Sequence, residues 1–225
     1  MRSFYTQIKI VIDKSIKRIV FSNQKKDYSM LTKNDILVQK NIVKIIKKYF
    51  PDVKQFICEE NFELKKFNKI DFREPFAIID PIDGTENFYA ENGMFGTLIS
   101  IYSKLKGDVD IIYIPKYNQL ITRDNIKLLS KKPKKKNKIS LMSTKCISEK
   151  KVSGTNLRVF GSSAFSFFQL IRGEANEFEY CSGAKIWDCY TGLRLIALTK
   201  CNISINKNKW FTKPTFKTKF IAKWR

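Results

Sequence analysis

The sequence predicts an α+β protein in which helices cover mixed sheets. Three observations lead there. Apolar residues recur at helical spacing near the start, at Phe4, Ile8, Val11, Ile12, Ile16, Ile19 and Val20, and again at Ile36, Val38, Ile42, Val43, Ile45 and Ile46. Three runs between residues 95 and 122 read as strands of an antiparallel meander. Beyond them, short strand-like pieces alternate with two more helices. At 225 residues and 43% hydrophobic content, with 18 Phe, the chain suits a single domain over 1–225. Its N-terminal layer is expected at about 1–130 and its C-terminal layer at about 139–225.

Composition narrows the chemistry. The chain has no His, which excludes Ser-His-Asp and Cys-His catalysis and His-ligated zinc. Its 5 Cys show neither a C-x-x-C pair nor zinc spacing, and read as reduced, mostly buried thiols. No apolar stretch reaches membrane-spanning length and no signal-peptide segment opens the chain, so a soluble, cytoplasmic protein without membrane insertion is expected. The net charge of +22 attracts polyanions without naming one. The lysines are scattered except in the run at 131–138, so a solvated surface and a nucleic-acid partner both stay open, the first being favoured.

In chain order, residues 4–21 form a first helix, packed on the core or lying at a membrane surface. A polar link follows at 25–28. Thr32 or Asn34 caps the second helix, which Lys47, Lys48 and Pro51 end. Asp35, in its first turn, suits the helix dipole. Gln55-Phe56-Ile57-Cys58 is a strand delivering Glu59 and Glu60, and 61–73 reads as a loop. Phe76-Ala77-Ile78-Ile79 is a buried strand ending on Asp80, since Pro81 has no N–H for a ladder. Asp83 follows in a tight turn, Gly84 permits close approach to the backbone, and Thr85 and Glu86 open a helix. Carboxylates there could hold Mg²⁺ and the helix start could hold phosphate, or the acids could merely cap an Asx-type turn. Later, Gly161-Ser162-Ser163-Ala164 opens a helix to Arg172, with Ser162 or Ser163 as a plain cap or a ligand contact. Residues 176–181 form a strand, and Asp188 caps a helix over 189–198.

The string D-P-I-D-G-T-E-N-F, from Asp80 to Phe88, resembles the signature of the inositol monophosphatase family, within the Mg²⁺-dependent, lithium-sensitive phosphatase superfamily. Glu59-Glu60 upstream and Trp187-Asp188 downstream resemble two further motifs of that family, in the expected order. The resemblance implies a layered αβαβα sandwich. It implies a phosphoric monoester hydrolase of the inositol-1-monophosphatase kind, cleaving a small sugar or inositol phosphate by two-metal activation of water. Two or three Mg²⁺ ions would be held by Glu59, Asp80, the Ile82 carbonyl, Asp83 and Asp188. Thr85, Asp35 and Glu59 would be catalytic, Gly84 and Thr85 would bind phosphate, and Gly161, Ser162 and Ser163 would contact substrate. A homodimer is a family habit. Cys181 stands where inositol-specific relatives carry a sugar-contacting Glu, which weakens myo-inositol phosphate as the substrate. Asn87 favours the sugar-phosphate branch over bisphosphate nucleotidases, the alternative within the superfamily. A nucleic-acid-binding protein with a vestigial metal site is the alternative from another class.

Overall fold

The structure, a computed structural model, describes residues 1–18, 20–24, 30–60, 64–134, 139–149, 156–205 and 210–224. Its elements run α1 (Arg2–Ser15), β1 (Phe21–Gln24), β2 (Met30–Thr32), α2 (Lys33–Tyr49), β3 (Gln55–Cys58), α3 (Leu64–Phe67), β4 (Phe76–Asp83), α4 (Thr85–Tyr89), β5 (Gly96–Tyr102) and β6 (Val109–Ile114). Then come β7 (Gln119–Thr122), α5 (Ile126–Leu129), β8 (Ser140–Met142), α6 (Thr144–Glu149), β9 (Leu157–Arg158), α7 (Ser163–Ile171), β10 (Glu177–Lys185), α8 (Ile186–Ile196), β11 (Cys201–Ile205) and β12 (Lys217–Trp224). The link read at 25–28, Ile19 of the first stripe, the start of the 61–73 loop and 135–138 of the basic run lie outside the described residues.

Two five-stranded sheets, in orders β3-β4-β5-β6-β7 and β11-β12-β10-β8-β9, form the described β layers. Period-2 alternation gives the first sheet two apolar faces. Ala77, Ile79, Ile99 and Ile111 meet Phe4, Ile8, Ile42 and Ile46 of α1 and α2. Ile78, Leu98, Ile112 and Ile114 join Phe167, Leu170, Tyr190 and Leu193 of α7 and α8, and these reach Phe178 and Phe220 of the second sheet. With α6 packed on β10, the layers run α, β, α, β, α, as expected for both class and architecture.

Several local readings shift. The first helix stops at Ser15, not near 21. Asn34 explains the stop, because its side-chain amide donates to the carbonyls of Ser15 (2.6 Å) and Arg18 (2.9 Å). It thereby satisfies the last carbonyl of α1, which has no helical partner, and a carbonyl of the turn that follows. Thr32, not Asn34, caps α2. β4 does not end on Asp80 but runs through Pro81 to Asp83, because a bulge lies between the Asp80–Leu98 and Asp83–Gly96 pairs. The bulge takes Pro81 out of the ladder, so no N–H is needed there. Cys146 and Cys181 are paired as a disulfide, Cα–Cα 5.2 Å, contrary to the expectation of thiols only; Cys58, Cys189 and Cys201 are free and buried.

A buried ion network ties β5 and β6 to α8. Asp110 is fully buried and accepts from Ser100 Oγ, from Arg123 (2.7 Å) and from Arg194 (2.9 Å). Ser100 also bonds Thr191 of α8 (2.9 Å). Asp110→Ala leaves two guanidinium groups partly buried without their acceptor. It is expected to cost about 3–5 kcal/mol, as for other broken buried pairs. Thermal melting checks this, and a fall in melting temperature below about 3 °C would contradict it.

Candidate active site

The motif strand sets the site's geometry. β3 pairs parallel with β4, and Glu59 N–H continues the pairing by donating to Ile79 O at 3.0 Å. That register places Glu59 beside Asp80. The bulge then turns Asp83 toward the start of α7. Gly84 adopts φ +85°, a left-handed conformation that favours glycine. A Cβ at Gly84 would sit 2.9 Å from Ser162 Cβ, so the turn and the start of α7 touch through the missing side chain.

Oxygen atoms of Asp80, Asp83 and Asp188 lie within 4.8 Å of one another. Asp188 comes from the other half of the chain, at the third residue of α8 and not at its cap as expected. Its Oδ2 reaches back to accept Lys185 N–H at 2.9 Å, which fixes the direction of the carboxylate. Asp83 Oδ2 accepts from the Ser162 hydroxyl and from Ala164 N–H (2.6 Å). Asp83 therefore helps to cap α7 while facing the other acids.

Burial and mutual repulsion raise these acids. Desolvation is the largest cause for Asp80, whose pKa lies well above the usual carboxylate range, followed by Glu59, Asp83 and Asp188. Burial pushes Asp83 up to about 6 against the opposing bonds from Ser162 and Ala164. Asp188 is pushed up to about 8 by burial, then by Glu59 and Asp83. Asp80 Oδ1 is buried with no hydrogen-bond partner. A buried, acceptor-only oxygen among like charges fits a hard divalent cation, and the trio contains neither Cys nor His.

Thr85 opens α4 and donates its hydroxyl toward Asp35 Oδ1 (3.2 Å) and Ile82 O (3.1 Å). The other oxygen of Asp35 accepts Thr32 N–H (2.8 Å) and the Thr32 hydroxyl. So Asp35 is both a capping-box acid and a neighbour of Thr85, not one or the other. Asn87 donates to Met94 O (2.9 Å) and Phe160 O (2.6 Å), which makes its amide a brace between α4 and the chain before α7.

A cavity of about 190 Å³ opens beside Asp83 and Asp188. Gly161, Ser162 and Ser163, the segment that the resemblance marks for substrate contact, line it. The Ser162 hydroxyl is already engaged, since it also accepts Phe165 N–H at 3.1 Å. Met142, Ser143, Thr144, Phe178 and Tyr180 complete much of the wall and were not read from the sequence. The one available signal was period 2 along β10, which puts Phe178 and Tyr180 on one face.

The inositol monophosphatase family model matches residues 3–197. The chain belongs to the inositol monophosphatase family. Among curated relatives, this family member is 29% identical over 91 residues to the 3'(2'),5'-bisphosphate nucleotidase CysQ of Haemophilus influenzae, 40% of this chain and 33% of that protein. It is 31% identical over 115 residues to the Nus factor SuhB of the same organism, 50% of this chain and 41% of that one. The chain thus spans well under half the length of these relatives. Among solved structures it resembles an IMPase/NADP phosphatase complexed with Mg²⁺ and phosphate, at TM-score 0.76 and 17% identity, covering 99% of this chain and 88% of that one. The extragenic suppressor protein suhB from Bartonella henselae matches at TM-score 0.72 and 19% identity, covering 100% and 93%. At these identities the likeness is one of fold. No helix among the described residues is long and apolar enough to cross a membrane.

Proposed function

We propose that this inositol monophosphatase family member is a Mg²⁺-dependent phosphomonoesterase acting on a small sugar or inositol phosphate. The observation that carries the reading is the convergence of Asp80, Asp83 and Asp188, with one oxygen of Asp80 unpartnered. Glu59, Asp80, Asp83, Asp188 and the Ile82 carbonyl would hold the ions, the chain working as one unit that draws on both halves. Bound Mg²⁺ would neutralise the cluster and lower the pKa of the attacking water. The chain's own residues supply the rest. The N–H groups of Gly84 and Thr85 hold phosphate oxygens at the start of α4. Thr85, held by Asp35, orients the nucleophile and passes its proton to that carboxylate. Gly161 and Ser163 border the leaving alcohol.

A bisphosphate nucleotidase activity is the second reading, favoured by the activity named for one relative. Against it, the described cavity wall has no Lys or Arg to meet a second phosphate. Nucleic-acid binding rests on the +22 charge and would show steep salt dependence. Phosphate release from inositol 1-phosphate, glycerol 2-phosphate and adenosine 3',5'-bisphosphate, with and without Mg²⁺, separates the three. The expected result is Mg²⁺-dependent, lithium-inhibited release from the first two. No release from any, with salt-sensitive nucleic-acid binding, would overturn it.

A further inference from the structure

We propose that Tyr180 is a specificity-determining residue of this site, its hydroxyl donating a hydrogen bond to a hydroxyl of the leaving alcohol; this rests on the phosphomonoesterase reading. Tyr180 lines the cavity into which Asp83 and Asp188 open. Its ring is held by Phe178 (centroids 6.5 Å, edge-on) and Phe220 (5.9 Å, tilted), so the hydroxyl has a set direction. The two fully buried tyrosines use their hydroxyls: Tyr113 donates to Asp13 and Tyr190 to Phe211 O. Among the described residues, the Tyr180 hydroxyl makes no such bond. At this half-buried place on the cavity wall, the hydroxyl can bond water in the cavity and exchange it for a ligand hydroxyl.

Charge and neighbours point the same way. A tyrosine phenol is protonated at neutral pH, so it is a donor there. The next residue, Cys181, is bonded to Cys146, which takes its sulfur out of use for a ligand. The remaining polar wall is neutral, with Ser143, Thr144 and Ser163 among the hydroxyls, and no cation is present among the described lining. Such a wall suits a hydroxylated alcohol and brings no positive charge to a second phosphate.

Tyr180→Phe tests this while keeping the ring and its packing. Two probes are compared with Mg²⁺ present: glycerol 2-phosphate, which carries hydroxyls on its leaving group, and p-nitrophenyl phosphate, which carries none. KM for glycerol 2-phosphate is expected to rise roughly three- to tenfold, the worth of one neutral hydrogen bond. KM for p-nitrophenyl phosphate, kcat for both and the melting temperature should stay within about twofold or unchanged. Equal shifts for both probes, or none for either, would overturn the assignment. If the natural chain releases phosphate from neither probe nor from inositol 1-phosphate, the phosphomonoesterase reading fails separately. Calorimetric binding of the same two compounds with Mg²⁺ then decides for Tyr180. The same selective loss of affinity supports the assignment, whereas equal affinities or no binding by the natural chain overturn it.

Discussion

Asp83→Asn is expected to abolish Mg²⁺-dependent hydrolysis and, at the same time, to raise the melting temperature of the metal-free protein. Both effects come from one carboxylate. Asp83 faces Asp80 and Asp188 within 4.8 Å, so its charge is needed for cations and repulsive without them. The amide oxygen of Asn can still accept from Ser162 and Ala164, which keeps the start of α7 in place. The pH dependence has a definite sign. The folded-state pKa values of Asp83 (about 6) and Asp188 (about 8) lie above the usual carboxylate value of 3.8, and Asp80 lies well above it too. Protonated, these acids favour the folded state; the stability present at acid pH is lost as pH rises through about 6 and then about 8. With EDTA, melting temperature should therefore fall between pH 5 and 9 through this cluster, and less steeply in Asp83→Asn. Millimolar Mg²⁺ should restore most at the alkaline end, where the ligands are ionised. A natural chain whose melting is insensitive to Mg²⁺ at pH 9, or an Asp83→Asn variant with normal turnover, would contradict the assignment.

Asp35→Asn should lose both turnover and stability, and Thr85→Ala turnover alone. The two oxygens of Asp35 serve different donors, Thr85 on one side and Thr32 on the other. An amide keeps one acceptor and turns an NH₂ group toward the other donor, whichever way it is oriented. The capping loss is about 0.5–2 kcal/mol. Loss of water orientation and proton uptake is typically worth roughly 10²–10⁴ in rate. Thr32→Ala separates the two: it removes the cap and leaves the Thr85 contact, so the protein should melt earlier and turn over almost normally. Asp35 and Thr85 act as one unit, so the double variant should be little slower than either single one. Additive losses in kcat, measured with saturating Mg²⁺, would show that they act apart.

The site was legible in the sequence wherever it is local. Asp80, Asp83, Gly84 and Thr85 lie in one unbroken strand–turn–helix segment, and Glu59 lies at the end of a short apolar strand. The bulge that carries β4 past Pro81 was not legible, because it depends on which residues of β5 stand opposite. The same holds for Asn34, which reads as a cap for its own helix and instead holds the end of α1.

Hydrophobic period, chain chemistry and the nine-residue motif determined by themselves that this is an α+β protein, with a candidate site built on carboxylates in a sequence without histidine. They could say which face of each element is apolar, since that depends only on spacing along the chain. What each face meets was decided by the stacking of layers. Only the tertiary structure brings Asp188 to Asp80 and Asp83, ties Asp83 to Ser162 and Ala164, and bonds Cys146 to Cys181. It alone places Tyr180 on the cavity wall and closes Asp110 between two arginines. The physical reason is that these contacts, Asp110–Arg123 apart, join segments far apart along the chain. Side-chain spacing carries no information about such distances until packing of the two sheets against α7 and α8 sets them.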